Sequence, residues 1–222
     1  MRIIAGLHRG RTLSAPLGKT TRPTAERVRQ ALFDTLMHAP LGGHALFDGC
    51  HVLDAFAGTG ALGLEALSRG AQYTSFFETN SLALFHLREN IRACHAETQC
   101  FVFAQDVTKP PPKLPQNTPP ATLIFLDPPY YSGLAPHALH ALFRHGWIAP
   151  HAIAVLETAH NEIMPFEKVS APAFSDRITK DTSNKSLSKK ESFPKESFPL
   201  PVSLLTTRRH GAAYLSFWQF TS

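Results

Sequence analysis

Between residues 51 and 157 the chain alternates short apolar runs with stretches whose apolar residues recur every three or four positions. The runs are nearly all apolar, as strands buried on both faces of a parallel sheet must be, and the stretches between them have helical spacing. The predicted strands are 51–54, 73–78, 100–104, 122–126 and 152–156. Strands that alternate with helices in this way predict a doubly wound α/β fold.

The N-terminal region follows a different pattern. We expect residues 1–16 to form a short two-stranded ribbon, and Thr24 to cap a helix that runs to about Met37. The sequence therefore suggests an N-terminal extension of residues 1–40, followed by a larger domain that spans residues 41–222.

The C-terminal region combines strand-like and irregular sequence. Residues 203–207 and 213–218 flank a turn and predict an antiparallel hairpin at the edge of the sheet. Residues 176–201 are polar and contain two consecutive copies of Lys-Glu-Ser-Phe-Pro. A segment of this composition cannot bury enough apolar surface to fold alone, so we predict a disordered insertion there.

The formal net charge of +5 is unevenly distributed along the chain. Residues 1–29 carry seven basic groups and one acidic group, whereas residues 30–175 have a net charge of −5 and residues 176–222 a net charge of +4. Such a concentration of positive charge near the N-terminus is typical of a surface that binds an anionic partner, most often nucleic acid.

Several classes of protein do not fit the sequence. No apolar run approaches the roughly 20 residues of a membrane-spanning helix, and the N-terminus lacks the features of a signal peptide. The three cysteines have no C-x-x-C spacing, and His137 and His140 lack a third ligand, so neither a disulfide framework nor a metal site is indicated. We expect a cytoplasmic, monomeric protein without a metal.

A glycine-rich motif follows the first predicted strand. Gly58, Gly60 and Gly63 satisfy G-x-G-x-x-G, and Glu78 stands at the end of the second strand, where its carboxylate can bind both hydroxyls of a ribose. The spacing fits both a nicotinamide dinucleotide and S-adenosylmethionine. Asp54, at the entry to the turn, would repel a pyrophosphate but suits a ligand that carries an ammonium and a sulfonium.

A second motif, Asp127-Pro128-Pro129-Tyr130, follows the fourth predicted strand, near the point where ligands bind in such sheets. The prolines hold the turn rigid and remove two N–H donors. Asp127 and a free carbonyl can then accept both hydrogens of an exocyclic amine, while Tyr130 offers a face on which a base can stack. This arrangement favours methyl transfer to the amine nitrogen of a base.

The two motifs, at 54–63 and 127–130, resemble those of the amino-group methyltransferases. Residues 1–6, 9–11 and 22–33 further resemble the bacterial 16S rRNA guanine-N2 methyltransferase family known as RsmD. The resemblance covers about residues 1–160 and, more weakly, 202–220. It departs from the family at Ala5, where a second glycine is usual, and in the insertion.

The resemblance implies a Rossmann-like class I methyltransferase fold with S-adenosylmethionine as methyl donor. It implies direct in-line transfer to a flipped guanine of 16S rRNA, within the small ribosomal subunit. The cofactor-binding residues would be Asp54, Phe56, Gly58, Gly60, Glu78, Asp106 and Val107. The catalytic residues would be Asp127, Pro128, Pro129 and Tyr130. Because RNA is anionic, we expect Arg2, Arg9 and Arg11 to contact its phosphates. We expect Arg22, Arg27 and Arg29, near the predicted helix, either to bind the RNA as well or to close over the active site.

The residues by themselves leave three other functions open. A DNA adenine-N6 methyltransferase has the same Asp-Pro-Pro-Tyr motif. A nicotinamide-dependent oxidoreductase is supported by the glycine spacing alone. A non-catalytic RNA-binding assembly factor would account for the basic N-terminus without using Asp127.

Overall fold

The computed structural model describes residues 1–16, 23–38, 41–112, 118–162 and 200–221. A seven-stranded sheet forms its centre, in the order β3-β2-β1-β4-β5-β7-β6. The strands are β1 His51–Asp54, β2 Tyr73–Phe77, β3 Cys100–Phe103, β4 Ala121–Leu126, β5 Ile148–Ala159, β6 Val202–His210 and β7 Ala213–Phe220. The helices of the described residues are α1 Pro23–Leu36, α2 Ala61–Ser68, α3 Ser81–Ala93 and α4 Leu134–Arg144, with 3₁₀ turns at Gly43–Leu46 and Glu97–Gln99.

Strands β1 to β5 are parallel, which confirms the predicted doubly wound α/β fold. The chain reverses its direction of winding between β1 and β4, because β2 and β3 lie on one side of β1 whereas β4 and β5 lie on the other. At such a switch point the loops that follow neighbouring strands diverge and leave a crevice at the carboxyl ends of the strands.

The fifth strand is longer than predicted. It begins at Ile148 rather than at residue 152, and its pairing with β4 shifts between Ala121↔Ile148 and Leu123↔Ile153. His151 has a φ of 60° at this irregularity, and Pro150 precedes it, so the local sequence does not show the pattern of a strand. The predicted hairpin is confirmed, and β7 rather than β6 pairs with β5.

Both faces of the sheet are covered by apolar side chains. Along β4, Leu123 and Phe125 point into one buried cluster and Ile124 and Leu126 into another, as the alternation of side chains along a strand requires. The first cluster also contains apolar residues of the N-terminal region, and Phe33 of α1 meets Phe125 edge-on with 5.6 Å between ring centroids. The N-terminal region therefore packs on the sheet itself.

The predicted N-terminal ribbon is present in a short form, with one bridge between Arg2 and Thr12. The predicted cap of the following helix is wrong: α1 begins at Pro23, so Thr24 lies in its first turn. Proline is favoured at the first helical position because its fixed φ suits the helix and its missing N–H is not needed there. Of the predicted insertion, residues 176–199 lie outside the described residues.

Buried Glu65 of α2 fastens the ribbon to the sheet domain. Its carboxylate accepts hydrogen bonds from the backbone N–H groups of Ile4 and Ala5, at 2.7 and 3.0 Å, and pairs with Arg69 at 2.8 Å. None of the helices in the described parts of the chain has the length and apolar character needed to cross a membrane.

Candidate active site

A cavity of about 620 Å³ lies at the carboxyl ends of the parallel strands, within the size range of small-molecule sites. It contains eight of the residues that the sequence predicts for the site. Its lining consists of Ala55, Phe56, Phe77, Glu78, Thr79, Gln105, Asp106, Val107, Asp127, Pro128, Pro129, Tyr130 and Leu134. Asp54, Gly58 and Gly60 do not line the cavity.

The carboxylate of Glu78 fixes the glycine turn to the end of β2. One oxygen accepts a hydrogen bond from the N–H of Gly58 at 2.8 Å, and the other accepts from the N–H groups of Thr79 and Asn80 at 2.7 Å each. Glu78 is thereby held in one orientation at the cavity wall, with its remaining acceptor capacity available to a ligand.

The glycines of this turn are required by packing as well as by conformation. Gly60 has a φ of 83°, and a Cβ placed there would lie 2.4 Å from Cδ1 of Leu87. A Cβ at Gly63 would lie 2.3 Å from the ring of Phe76, so α2 can approach β2 only with glycine at this position. The third glycine of the motif therefore serves helix–strand packing.

Asp54 lies beneath the glycine turn and is only 1% exposed. Its Oδ2 accepts a hydrogen bond from the N–H of Gly63 at 3.0 Å, and Oδ1 is buried without a hydrogen-bond partner among the described residues. Burial raises the pKa of Asp54 to about 7. The hydrogen bond from Gly63 opposes this rise, and the weaker repulsion by Glu78 adds to it. The sequence predicted direct contact with a ligand, whereas Asp54 stands behind the wall of the site.

The residues after β3 form another wall. Asp106 lines the cavity and its Oδ1 accepts from the N–H of Thr108 at 2.9 Å, while the next residue, Val107, is buried against Phe77 and its neighbours. The carboxylate of Asp106 can accept hydrogen bonds from the edge of an aromatic base, and the apolar surface beside it can pack against the face of the base.

The loop after β4 carries the second motif. Asp127 and Tyr130 open into the cavity, and the loop is attached to β5 and the residues after it at two points. The hydroxyl of Tyr130 donates to Oε1 of Glu157 at 2.8 Å, and the N–H of Tyr131 donates to Oε1 of Glu162 at 3.1 Å. The prolines and these two bonds together hold the loop in one conformation.

Glu157 was missed by the sequence-based reasoning. It follows the apolar run 152–156 directly, as Asp127 follows the apolar run 122–126, and Leu126 pairs with Leu156. Acids that follow paired apolar runs on two adjacent parallel strands lie at the same edge of the sheet. The repeated pattern of an apolar run followed by an acid could therefore have indicated Glu157.

The acids at this end of the cavity affect each other's protonation. Burial and then repulsion from Glu157 and Asp54 raise the pKa of Asp127. Burial also raises the pKa of Glu157, and the hydrogen bond from Tyr130 partly offsets this effect. Burial and the same acidic neighbours raise the pKa of Tyr130, so its hydroxyl remains a donor.

The predicted RNA-binding arginines occupy different environments. Arg2, Arg9, Arg11 and Arg27 are exposed, whereas Arg22 lies outside the described residues. The prediction that Arg29 contacts RNA is corrected by the structure. Arg29 is only 5% exposed, and its guanidinium donates to the carbonyl of Arg2 at 2.7 Å. A buried guanidinium that holds the ribbon on α1 has no open face for a phosphate.

Residues 1–184 match the family model described as "Conserved hypothetical protein 95". The chain belongs to this family. Among its relatives is "Ribosomal RNA small subunit methyltransferase D" of Haemophilus influenzae, 35% identical over 158 residues, which cover 71% of this chain and 78% of the relative. The protein of the same name from Escherichia coli K12 is 35% identical over 165 residues, which cover 74% of this chain and 78% of the relative. The resemblance to the RsmD family is thus confirmed.

Two solved structures share the fold over the length of the chain. The Escherichia coli protein yhhF, a presumed methyltransferase, superimposes with a TM-score of 0.69 at 26% identity and covers 100% of this chain and 98% of its own. The presumed methylase HI0767 from Haemophilus influenzae gives a TM-score of 0.64 at 28% identity, with 100% of this chain and 99% of its own covered. The chain therefore has the Rossmann-like fold of class I methyltransferases, as expected.

Proposed function

We propose that this protein transfers a methyl group from S-adenosylmethionine to the N2 amine of a guanine in small-subunit rRNA. The observation that carries the proposal is a single cavity that has Glu78 at the end of β2 and Asp127-Pro128-Pro129-Tyr130 after β4. In this cavity Glu78 can bind the ribose of a nucleoside cofactor, and the loop at 127–130 can bind the amine of a base. The two ligands could therefore react with each other there. The names of the relatives from Haemophilus influenzae and Escherichia coli support RNA of the small subunit as the acceptor.

The cofactor end of the cavity fits S-adenosylmethionine. Glu78 would bind the ribose hydroxyls, Asp106 and Val107 would hold the adenine with Phe56, and the turn at Gly58 and Gly60 would meet the methionine portion. The unpartnered Oδ1 of Asp54, which lies beneath the glycine turn, would favour a positively charged ligand on the other side of that turn, because nearby positive charge stabilises a buried carboxylate. When bound, S-adenosylmethionine supplies a methyl group on a positively charged sulfur.

The other end of the cavity fits the acceptor base. Asp127 and a carbonyl of the Pro128–Pro129 turn would accept the two hydrogens of the amine, which directs the nitrogen lone pair along the line of transfer. Tyr130 is 45% exposed and would stack on the base. Its hydrogen bond to Glu157 holds it at the cavity rather than in solvent.

The N-terminal extension, residues 1–40, is proposed as the RNA-binding part, with the rest of the chain as the methyltransferase domain. A guanine in structured RNA must be unstacked before its amine can enter the cavity, at a cost of a few kcal/mol. Phosphate contacts from the exposed Arg2, Arg9, Arg11 and Arg27 would offset this cost. An acceptor presented within the assembled small subunit, with part of the unstacking already done, is the substrate we expect.

The experiment that tests the function supplies labelled S-adenosylmethionine and three acceptors. These are small subunits from cells that lack the modification, naked 16S rRNA, and duplex DNA. We expect label on the subunits, mapped by mass spectrometry to N2 of one guanine. Label on DNA adenine would replace the proposal with a DNA methyltransferase. Absence of label from all three, with tight binding of NADH, would replace it with an oxidoreductase.

Asp127→Ala provides the matched control in this assay. It should bind S-adenosylmethionine as the wild type does, because Asp127 lies at the acceptor end of the cavity, and yet transfer no methyl group. A variant that transfers at the wild-type rate would contradict the role of Asp127. Loss of the protein's cellular effect in this variant would also exclude a purely non-catalytic assembly factor.

A further inference from the structure

Asp127, which lines the cavity, has a second acid, Glu157, as an electrostatic neighbour. Strands β4 and β5 are parallel and pair in register through Leu126↔Leu156, so Asp127 and Glu157 each follow the last paired residue by one position. Residues in register on adjacent parallel strands project their side chains to the same face of the sheet. The register of β4 and β5 therefore brings Asp127, the first residue after β4, to the same edge of the sheet as Glu157.

Glu157 also determines where the Tyr130 ring lies. Its Oε1 accepts the hydrogen bond of the Tyr130 hydroxyl at 2.8 Å. Tyr130 is nearly half exposed, so few packing contacts restrict its side-chain torsions, and the bond at the tip of the ring has a large effect on its orientation. Glu157 itself does not line the cavity, which separates it from groups that would touch the ligands.

We propose that Glu157 is a positioning residue for methyl transfer, which holds the Tyr130 ring against the base and makes Asp127 the group that takes the proton leaving the amine. The inference rests on the proposed function, and it adds a residue and a proton acceptor to that function.

Methyl transfer to the amine releases one proton. A bond forms between the amine nitrogen and the methyl carbon while the carbon–sulfur bond breaks, and the electrons of the broken bond remain on sulfur, which becomes neutral. The nitrogen gains the positive charge and must then lose one of its hydrogens as a proton. Asp127, which already accepts a hydrogen bond from that amine, receives the proton and becomes a neutral carboxylic acid.

The negative charge of Glu157 favours this proton transfer. A carboxylate beside a second carboxylate holds a proton more tightly than an isolated one, because protonation relieves the repulsion between them. The titratable groups that face Asp127 are Glu157 from β5, Asp54 from β1 and Tyr130 from its own loop, with Glu162 next to Tyr130. All of these groups are acidic, and burial together with their repulsion raises the pKa of Asp127.

The test compares Glu157→Gln with the wild type in the methylation assay across pH. The amide oxygen of glutamine can still accept the bond from Tyr130, so the substitution removes mainly the charge. We expect the rise of kcat with pH to move about one pH unit lower, since Asp127 loses its charged neighbour. We also expect kcat above that rise to fall about tenfold, because Asp127 becomes a weaker base, with KM for the RNA unchanged.

Three further variants separate charge, orientation and stability. Tyr130→Phe keeps the aromatic face and loses only the bond to Glu157, so KM for the RNA should increase about fivefold. Glu157→Asp should have the same dependence of kcat on pH as the wild type, in contrast to Glu157→Gln, because aspartate keeps the negative charge. Glu97→Gln, on an exposed 3₁₀ turn, is the matched control and should behave as the wild type does.

A measurement without substrate tests the electrostatic part independently. Carbon-13 NMR of the side-chain carboxyl groups, with Asp127 assigned by loss of its signal in Asp127→Asn, gives the titration midpoint of Asp127 in the free protein. The midpoint should be lower in Glu157→Gln. An unchanged midpoint, or an unchanged pH profile of kcat in a variant with normal thermal stability, overturns the inference while wild-type methyl transfer leaves the proposed function in place. Absence of methyl transfer by the wild type overturns both.

Discussion

The side chain of Asn90 forms two hydrogen bonds with the backbone of Ser14. Its Oδ1 accepts from the N–H of Ser14 at 2.6 Å, and its Nδ2 donates to the carbonyl of the same residue at 3.0 Å. The other hydrogen of Nδ2 goes to the carbonyl of Thr59 in the glycine turn at 2.9 Å. Asn90, which is 1% exposed on α3, therefore joins the N-terminal extension directly to the glycine turn that follows β1.

Asn90→Ala should destabilise the protein and loosen this connection. The substitution removes three part-buried hydrogen bonds to backbone groups of Ser14 and Thr59, each worth about 0.5–1.5 kcal/mol. We expect a loss of about 2–3 kcal/mol in the free energy of unfolding, measured by urea denaturation. Asn161→Ala, on the exposed turn after β5, is the control and should change stability by less than about 0.5 kcal/mol. Equal stability of the two variants would contradict the role given to Asn90.

Gly6→Ala and Gly10→Ala form a matched pair in the N-terminal ribbon. Both glycines have a φ near +80°, but a Cβ at Gly6 would lie 1.7 Å from the carbonyl oxygen of Ser68, whereas nothing lies within 4 Å of a Cβ at Gly10. Gly10→Ala should therefore lower the free energy of unfolding by only about 1 kcal/mol, which is the cost of holding an alanine at a positive φ. Gly6→Ala must also displace the ribbon from α2, so we expect about 3 kcal/mol or more. Urea denaturation of both variants measures the difference, and similar losses would show that the contact with Ser68 is unimportant.

Asp54 should make stability depend on pH. Its pKa in the folded protein, about 7, lies above its ordinary value of 3.8, so the folded state binds the proton more tightly than the unfolded state does. The resulting stabilisation is complete below pH 4 and is lost as pH rises towards 7, by at most about 4 kcal/mol. Asp54→Asn removes this dependence, because an amide does not titrate.

The measurement is urea denaturation of wild type and Asp54→Asn at pH 5 and pH 8. We expect the free energies of unfolding of the two proteins to be closer at pH 5. At pH 8 the free energy of unfolding of the variant should have increased relative to that of the wild type. Asp48→Asn, at an exposed position, should follow the wild type at both values. Parallel pH dependence of wild type and Asp54→Asn would show that Asp54 keeps its ordinary pKa.

The arginines of the N-terminal region should separate into two groups. Arg9→Ala should weaken binding to 16S rRNA and reduce the slope of log affinity against log salt concentration by about 0.7–0.9 if Arg9 neutralises one phosphate. Arg29→Ala should instead lower the melting temperature, since its buried guanidinium supports the backbone of Arg2. Filter binding over a series of salt concentrations and thermal melting measure the two effects. Arg144→Ala, exposed at the end of α4, is the control for both.

The parallel strands and the residues at the edge of the cavity could be predicted from the sequence, because each is indicated by residues that are close together in the sequence. A run such as 122–126 is apolar throughout, and the acid that follows it must lie at the carboxyl end of the sheet. The start of β5 escaped prediction because Pro150 and the left-handed φ of His151 interrupt the strand pattern.

The remaining differences depend on contacts between distant parts of the chain. Arg29 has the sequence context of a solvent-exposed basic residue, and its burial results from the ribbon folding back onto α1. Glu157 gains its importance only from the register of β5 against β4, which places it beside a residue 30 positions earlier. Asp54 belongs to the predicted motif, but its depth beneath the turn depends on how closely α2 approaches β2.

The position of β7 between β5 and β6 has a consequence for how the protein is made. Residues 213–220, which are synthesised well after β5, supply an inner strand, so the β5 edge lacks its β7 partner until they have emerged from the ribosome. An unpaired strand edge can associate with other chains. The side of the cavity next to β5 thus depends on residues 213–220, which are synthesised well after β5 itself.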